Sequence, residues 1–342
     1  MHPSLSSCCQ PNHFPTSAAC LQTLFTGNVD YLGGVVDEDK QTAHLFVQQG
    51  RASVLYAQSR DCGLSWSPLT PMSTTLSVPV GLVAIPSVAV GIQLRGDLCA
   101  EPTCGGAAGH LVMPFVCLQS ALTSQHAAAA WPIRDTGACA GCYSCLAVSE
   151  DRGATWNIAP AAVSAQQGTR EASVAQLVSG AWPLSPPPIG PTVFVSERNM
   201  GATAPGSRLH ALSVDGGRSF DTAAYGTDPG LPDSRVTNWT GIVAGLTRLD
   251  TVADGGGAAA TTRRLVVSAP RSRAARADLA LFTSLDEGRT WSAGRLWAPG
   301  PAGYSCVVQL NESSGAILFE NGSAEFAERI SFQTFSAADL EY

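Results

Sequence analysis

The chain has 342 residues, of which 20 are Lys or Arg and 27 are Asp or Glu, so its formal net charge is −7. That balance excludes the basic stripe a nucleic-acid binder needs and offers nothing to an anionic membrane surface. Hydrophobic residues make up 45% and charged residues 14%, a globular composition able to bury a core. The 34 glycines and 22 prolines favour short strands and tight turns over long helices. Lys40 is the only lysine, which disfavours a Schiff-base amine and excludes a Gly-Lys-Ser/Thr phosphate loop.

Residues 1–26 form an atypical N-terminal segment, with no basic start and no clean apolar stretch, so no signal peptide is expected. The longest apolar run, Ser77–Ile92, contains Pro79 and Pro86 and is shorter than the roughly 20 residues of a spanning helix. It reads as two buried strands with a turn, and no transmembrane segment is expected. Of 11 cysteines, Cys139, Cys142 and Cys145 lie three apart and Cys99 and Cys104 flank a short loop. No fourth ligand stands at metal-site spacing, so these read as free or disulfide-paired loop cysteines, with no metal. Sequons at Asn238, Asn311 and Asn321 leave the compartment open between lysosomal or secretory and cytoplasmic. The oligomeric state is equally open.

One octad recurs four times along residues 27–342, each copy after an alternating apolar run. It reads Ser59-Arg60-Asp61-Cys62-Gly63-Leu64-Ser65-Trp66 and Ser149-Glu150-Asp151-Arg152-Gly153-Ala154-Thr155-Trp156. It returns as Ser213-Val214-Asp215-Gly216-Gly217-Arg218-Ser219-Phe220 and Ser284-Leu285-Asp286-Glu287-Gly288-Arg289-Thr290-Trp291. The chemistry is that of a hairpin turn: the carboxylate accepts turn N–H groups, the glycine supplies a positive φ, and the aromatic ring packs back on the sheet. Aspartate spacings of 90, 64 and 71 residues suit propeller blades with decorated loops.

This octad resembles the Asp-box repeat, which makes Asp61, Asp151, Asp215 and Asp286 structural anchors rather than catalytic groups. The repeat occurs in sialidases and also in sorting-receptor propellers, so function has to come from the residues between the copies. The C-terminal stretch Gly303-Tyr304-Ser305-Cys306, Gly315 to Gly322 and Glu328 to Phe335 is similar to the closing section of exo-α-sialidases. The resemblance implies an all-β, six-bladed propeller, all antiparallel, with about five blades represented, over roughly Asn28 to Leu340.

In that family a tyrosine is the nucleophile, and here the resemblance assigns it to Tyr304. Its chemical sense is electrostatic: the anomeric carbon of sialic acid carries a carboxylate, which repels Asp or Glu but not a neutral phenol. A phenol needs a base, and Gly168-Thr169-Arg170-Glu171 is similar to the segment that supplies one, which implies Glu171. Arginine forks hold the substrate carboxylate. The resemblance implies Arg198, after the strand Thr192–Glu197, and Arg276, before Ala277-Asp278-Leu279, with Arg273 as the competitor. Glu320 matches the family glutamate that orients a further arginine.

Two parts of the family pattern have no counterpart: the Arg-Ile-Pro segment with the first arginine, and the acid/base aspartate after it. From this the sequence predicts a weak catalyst, an unpartnered Glu320 and an unpaired final strand around Ile330–Phe335; ordinary turnover would instead mean that another residue, such as Asp30 or Asp37, has taken the acid role. The expected activity is hydrolysis of terminal α-linked sialic acids from glycoproteins, gangliosides or oligosaccharides, with retention and without cofactor or metal. The alternatives are a sialoglycan-binding propeller and an interaction propeller. Sialylated glycans are the expected partners, with no nucleic acid.

Overall fold

The computed structural model describes residues 31–50, 53–99, 104, 106–120, 141–166, 168–185, 187–201, 206–236, 239–252 and 261–341. The segment 1–26, Asp30, Cys139 and Asn238 lie outside the described residues.

The chain is a β-propeller, with four blades seen among the described residues. The first is β1 (Tyr31–Asp37), β2 (Thr42–Gln49), β3 (Ser53–Ser59) and β4 (Thr70–Pro71), in sequence order. The second holds β5 (Leu76–Ser77), β6 (Leu82–Pro86), β7 (Ile92–Gln93), β8 (Leu111–Gln119), β9 (Cys142–Ser149) and β10 (Trp156–Asn157). Its sheet runs β5-β10-β9-β8-β6, with β7 also on β8. The third is β11 (Thr169–Gln176), β12 (Val193–Asn199), β13 (Ser207–Ser213) and β14 (Asp221–Pro232). A short pair, β15 (Arg235–Val236) and β16 (Trp239–Thr240), follows. The fourth blade is β17 (Gly245–Val252), β18 (Thr261–Pro270), β19 (Ala277–Ser284) and the first part of β20 (Arg295–Asn311).

The 17-residue β20 then runs on and pairs with β21 (Ser314–Asn321), which pairs with β22 (Arg329–Ser336). The propeller expected from the sequence is what the chain forms, with four blades seen where about five were expected and these three strands beyond them. Two local expectations are corrected. Ser77–Ile92 holds the end of β5, the whole five-residue β6 and the start of β7 rather than two strands. The pairing is not wholly antiparallel, since β10 runs parallel to β5.

The core lies between blades. Val35, Phe46, Met113, Phe115 and Trp156 fill the first gap. Val112, Leu146, Val174, Val193 and Val195 fill the second, and Phe194, Leu212, Leu246, Leu265 and Phe282 the third. β11 is covered on both faces, and all eight of its residues are buried, the charged Arg170 and Glu171 among them. Val266, Leu281, Ile317, Phe319 and Phe335 seat β21 and β22 on the fourth blade. The far face is open: Ile330 and Phe332 on β22 are 70% and 64% exposed, beside Leu318. β22 pairs only with β21, which leaves its outer edge unpaired among the described residues.

The four octads share one geometry. In the last, Asp286 Oδ1 accepts from Ser284 Oγ (2.8 Å) and Thr290 N (2.9 Å), while Oδ2 accepts from Thr290 Oγ1 (2.7 Å). Gly288 N in turn donates to Ser284 Oγ at 2.8 Å. The glycine is left-handed in each copy, and so is the residue before it: Cys62, Arg152, Gly216 and Glu287 have φ of 60°, 61°, 76° and 61°. That second left-handed residue points its side chain out of the hairpin. Arg152 bonds Asp37 Oδ1 (2.9 Å) and Asp39 Oδ2 (2.7 Å) of the first blade. Glu287 accepts from Val178 N at 3.0 Å and pairs with Arg248. At these two copies the turn is also a latch between neighbouring parts of the ring.

Disulfides join Cys99 to Cys104 and Cys117 to Cys145, and Cys142 is also disulfide-bonded. Cys117, Cys142 and Cys145 are on β8 and β9 rather than in loops, contrary to the sequence expectation. Among the described residues no helix is long and apolar enough to cross a membrane.

Candidate active site

The third blade supplies Glu171 and Arg198, the position just before β19 supplies Arg276, and β20 supplies Tyr304 to the same place. Glu171 lies on β11 with its side chain fully buried. An isolated buried carboxylate is costly, and here three groups meet it. Arg198 Nη1, from β12, donates to Oε2 at 3.0 Å. Tyr31, at the start of β1, donates its hydroxyl to Oε1 at 2.9 Å. Arg170 Nε stands 3.8 Å from Oε1, and the Arg170 guanidinium lies 5.5 Å from the centre of the Tyr31 ring. Burial opposes the charge on Glu171, but Arg198 and Arg170 outweigh it and hold the carboxyl down at about 2.

Arg198 is buried and its own charge is disfavoured by burial, yet Glu171, Tyr304 and Asp233 keep it above the ordinary arginine range. Its stem lies under Gly241, where a Cβ would come within 2.7 Å of Arg198 Cγ and where φ is +70°. Glycine is required there on both counts. Asp233 sits behind, accepting from Asn199 N (2.7 Å) and Ile242 N (2.6 Å).

The same Arg198 Nη1 donates to the Tyr304 hydroxyl at 3.2 Å. Glu171 and Tyr304 are therefore bridged by Arg198 rather than hydrogen-bonded to each other. Tyr304 is on β20, and its backbone N–H donates to Glu320 Oε2 at 2.9 Å. Glu320 is thus engaged, contrary to the expectation of an idle acid. Gly303 makes that approach possible, since a Cβ there would meet Glu320 Oε2 at 2.2 Å.

Arg276, just before β19, lies between two rings, 5.1 Å from the centre of Tyr304 and 4.8 Å from that of Phe326. Burial lowers its pKa, and Tyr304 works in the opposite direction. Phe326 rides on the turn after β21. The Glu328 carboxylate ties that turn by accepting from Ser323 N (2.9 Å), Ala324 N (2.8 Å) and Glu325 N (2.8 Å). Those donors hold Glu328 down at about 2. Arg273 turns outward instead, to Ser207 Oγ at 3.1 Å and Pro229 O at 2.5 Å.

Asp37 does not reach this site. It is buried against Arg152 and Lys40 N, in the contact between the first two blades. The octad aspartates are likewise engaged in their own turns, away from Tyr304. Sequence reasoning missed Tyr31, Arg170 and Phe326. Tyr31 and Arg170 adjoin recognised stretches, but no spacing marks them as partners, because β1 and β11 meet only through the ring. No group of three or more metal-ligating side chains is gathered among the described residues.

No family model matches the chain. It is 25% identical over 268 residues to a sialidase from Micromonospora viridifaciens, a match covering 78% of this chain and 33% of that protein. In structure it is similar to the Hadza microbial sialidase Hz136, with a TM-score of 0.64 at 20% identity over 91% of this chain and 53% of that one. The intramolecular trans-sialidase from Ruminococcus gnavus, solved with oseltamivir carboxylate, gives 0.56 at 17% identity over 85% and 51%. Trypanosoma rangeli sialidase gives 0.54 at 15% identity over 90% and 44%. The chain spans about a third of the curated relative and about half of the first of these structures. It is a homologue of a curated sialidase and carries the sialidase-type β-propeller.

Proposed function

We propose that the chain is an exo-α-sialidase that releases terminal α-linked sialic acids from glycoproteins, gangliosides or oligosaccharides, with retention. Tyr304 attacks the anomeric carbon, Glu171 takes its proton, and Arg198 and Arg276 hold the substrate carboxylate. Glu320 keeps the Tyr304 backbone in place. The observation that carries this reading is the bridge Glu171–Arg198–Tyr304 with Arg276 against the same ring. Two guanidinium groups beside one phenol offer their forks to an incoming carboxylate.

The test is turnover of a fluorogenic sialoside by the chain and by Tyr304→Phe. Hydrolysis should vanish in the variant while a sialic-acid analogue still binds, because the lost oxygen is the bond-forming atom and the arginines supply ground-state affinity. Unchanged turnover in Tyr304→Phe would refute the nucleophile assignment.

A second reading, a sialoglycan-binding propeller without turnover, is favoured by one observation. Among the described residues no aspartate faces Tyr304 to protonate a leaving group, and such an acid contributes ~10²–10⁴-fold. Analogue binding with no sialoside hydrolysis selects it.

A further inference from the structure

Glu171 has both oxygens occupied: Oε1 by the Tyr31 hydroxyl and Oε2 by Arg198. In that state Arg198 stands between Oε2 and the Tyr304 hydroxyl, so neither carboxylate oxygen is hydrogen-bonded to Tyr304. The two donors differ in what a substrate does to them. Arg198 already touches Tyr304, and a bound carboxylate competes directly for its fork. Tyr31 comes from another blade, has Glu171 as its acidic partner among the described residues, and is held under the Arg170 guanidinium.

We propose that Tyr31 is a positioning residue for Glu171: it keeps Oε1 occupied, so that Oε2 becomes the working oxygen when a substrate carboxylate draws Arg198 away. This rests on the sialidase reading above. In the step, the Tyr304 O–H bond breaks and an O–H bond forms at Glu171 Oε2. The negative charge moves from carboxylate to phenolate, beside Arg276. Substrate binding thus frees the base, and Tyr31 prevents the freed carboxylate from rotating to a geometry that misses Tyr304. The ionisable groups facing Glu171 are Tyr31 from β1, Arg170 from its own strand, Arg198 from β12, and Tyr304 from β20 through Arg198. With Tyr31 removed, Glu171 loses a donor to its charged form and its pKa rises.

The experiment is Tyr31→Phe in the full chain, which keeps the ring on Arg170 and removes one oxygen. With a fluorogenic sialoside, kcat should fall by about tenfold or more, the scale of a lost hydrogen bond to a charged group. The acid limb of kcat/KM should move to higher pH, while the dissociation constant of a sialic-acid analogue stays within about twofold. An unchanged kcat and acid limb overturns the proposal. So does a loss of analogue affinity as large as the loss in kcat/KM, which makes Tyr31 a ligand contact. If the unaltered chain hydrolyses nothing, the sialidase reading has failed. The Tyr31–Glu171 pairing is then decided by 13C-carboxyl titration of Glu-labelled protein, assigned with Glu171→Gln. An upward move of Glu171 in Tyr31→Phe supports the pairing, and no move overturns it.

Discussion

Glu197 offers a measurement that turns on burial alone. It precedes Arg198 on β12, and alternation along the strand sends the two side chains to opposite faces. Glu197 is fully buried and accepts from Gln166 Nε2 at 3.0 Å. Burial is the dominant influence, with Ser164, Ser144 and Arg208 pulling the other way, and it pushes the carboxyl up to about 8. Between the ordinary 4.5 and about 8 the native state keeps a proton that the unfolded chain has released. Unfolding stability therefore falls as pH rises across that window and is level above it. At about 1.4 kcal/mol per pH unit the loss has an upper bound near 5 kcal/mol. Glu197→Gln keeps the shape and removes the proton. Denaturant unfolding of both proteins at pH 4.5, 6 and 8 gives the difference, in which all other titrating groups cancel. The Gln variant should gain several kcal/mol on the parent between the lowest and highest pH. Parallel curves would refute the reasoning and mean that Glu197 is ionised in the folded protein.

Two further outcomes follow from the geometry. Arg276→Lys should weaken binding of a sialic-acid analogue by at least about tenfold, because a point charge can neither stack between Tyr304 and Phe326 nor present a planar fork. Arg273→Lys, whose parent bonds outward at the rim, should leave that affinity unchanged; the reverse pattern would mean that the two arginines have been confused. Asp286→Ala should lower the melting temperature through a loss of ~1–2 kcal/mol while analogue affinity is kept, since its three bonds stay inside its own hairpin.

The propeller was legible because its signal is local and repeated. Each octad carries its own turn chemistry within eight residues, so the hairpins could be located before any strand pairing was known. Tyr304, Glu171, Arg198 and Arg276 were legible through short motifs that kept their order. What could not be read was anything fixed by closure of the ring. Tyr31 and Glu171 are 140 positions apart, and only the meeting of β1 with β11 makes them partners. The latch residues were hidden for the same reason. Arg152 and Glu287 occupy the variable position of the octad, and their partners Asp37 and Arg248 lie on other strands. Glu320 was assigned as an orienter of an arginine, yet its observed bond is to the Tyr304 backbone, which only the β20–β21 register and the missing Cβ of Gly303 allow.

The charge balance of the site says what kind of ligand it suits. Arg170, Arg198 and Arg276 are gathered around Tyr304 and Tyr31. Against these three cations stand two carboxylates, Glu171 and Glu320, while Asp233 lies 3.7 Å from Arg208 and is balanced by it. Among the described residues this makes a cluster of guanidinium groups in a largely buried place. Guanidinium forks suit an anionic group, so on the reading proposed above the site favours a monoanionic sugar over a neutral one. It also sets the order of events. On the reading proposed above, the anion displaces the internal pairing of Arg198 with Glu171 in order to be held, and that displacement frees Glu171 as the base. Binding and activation are then one rearrangement, and a neutral glycoside that entered the site would leave Glu171 locked and Tyr304 protonated.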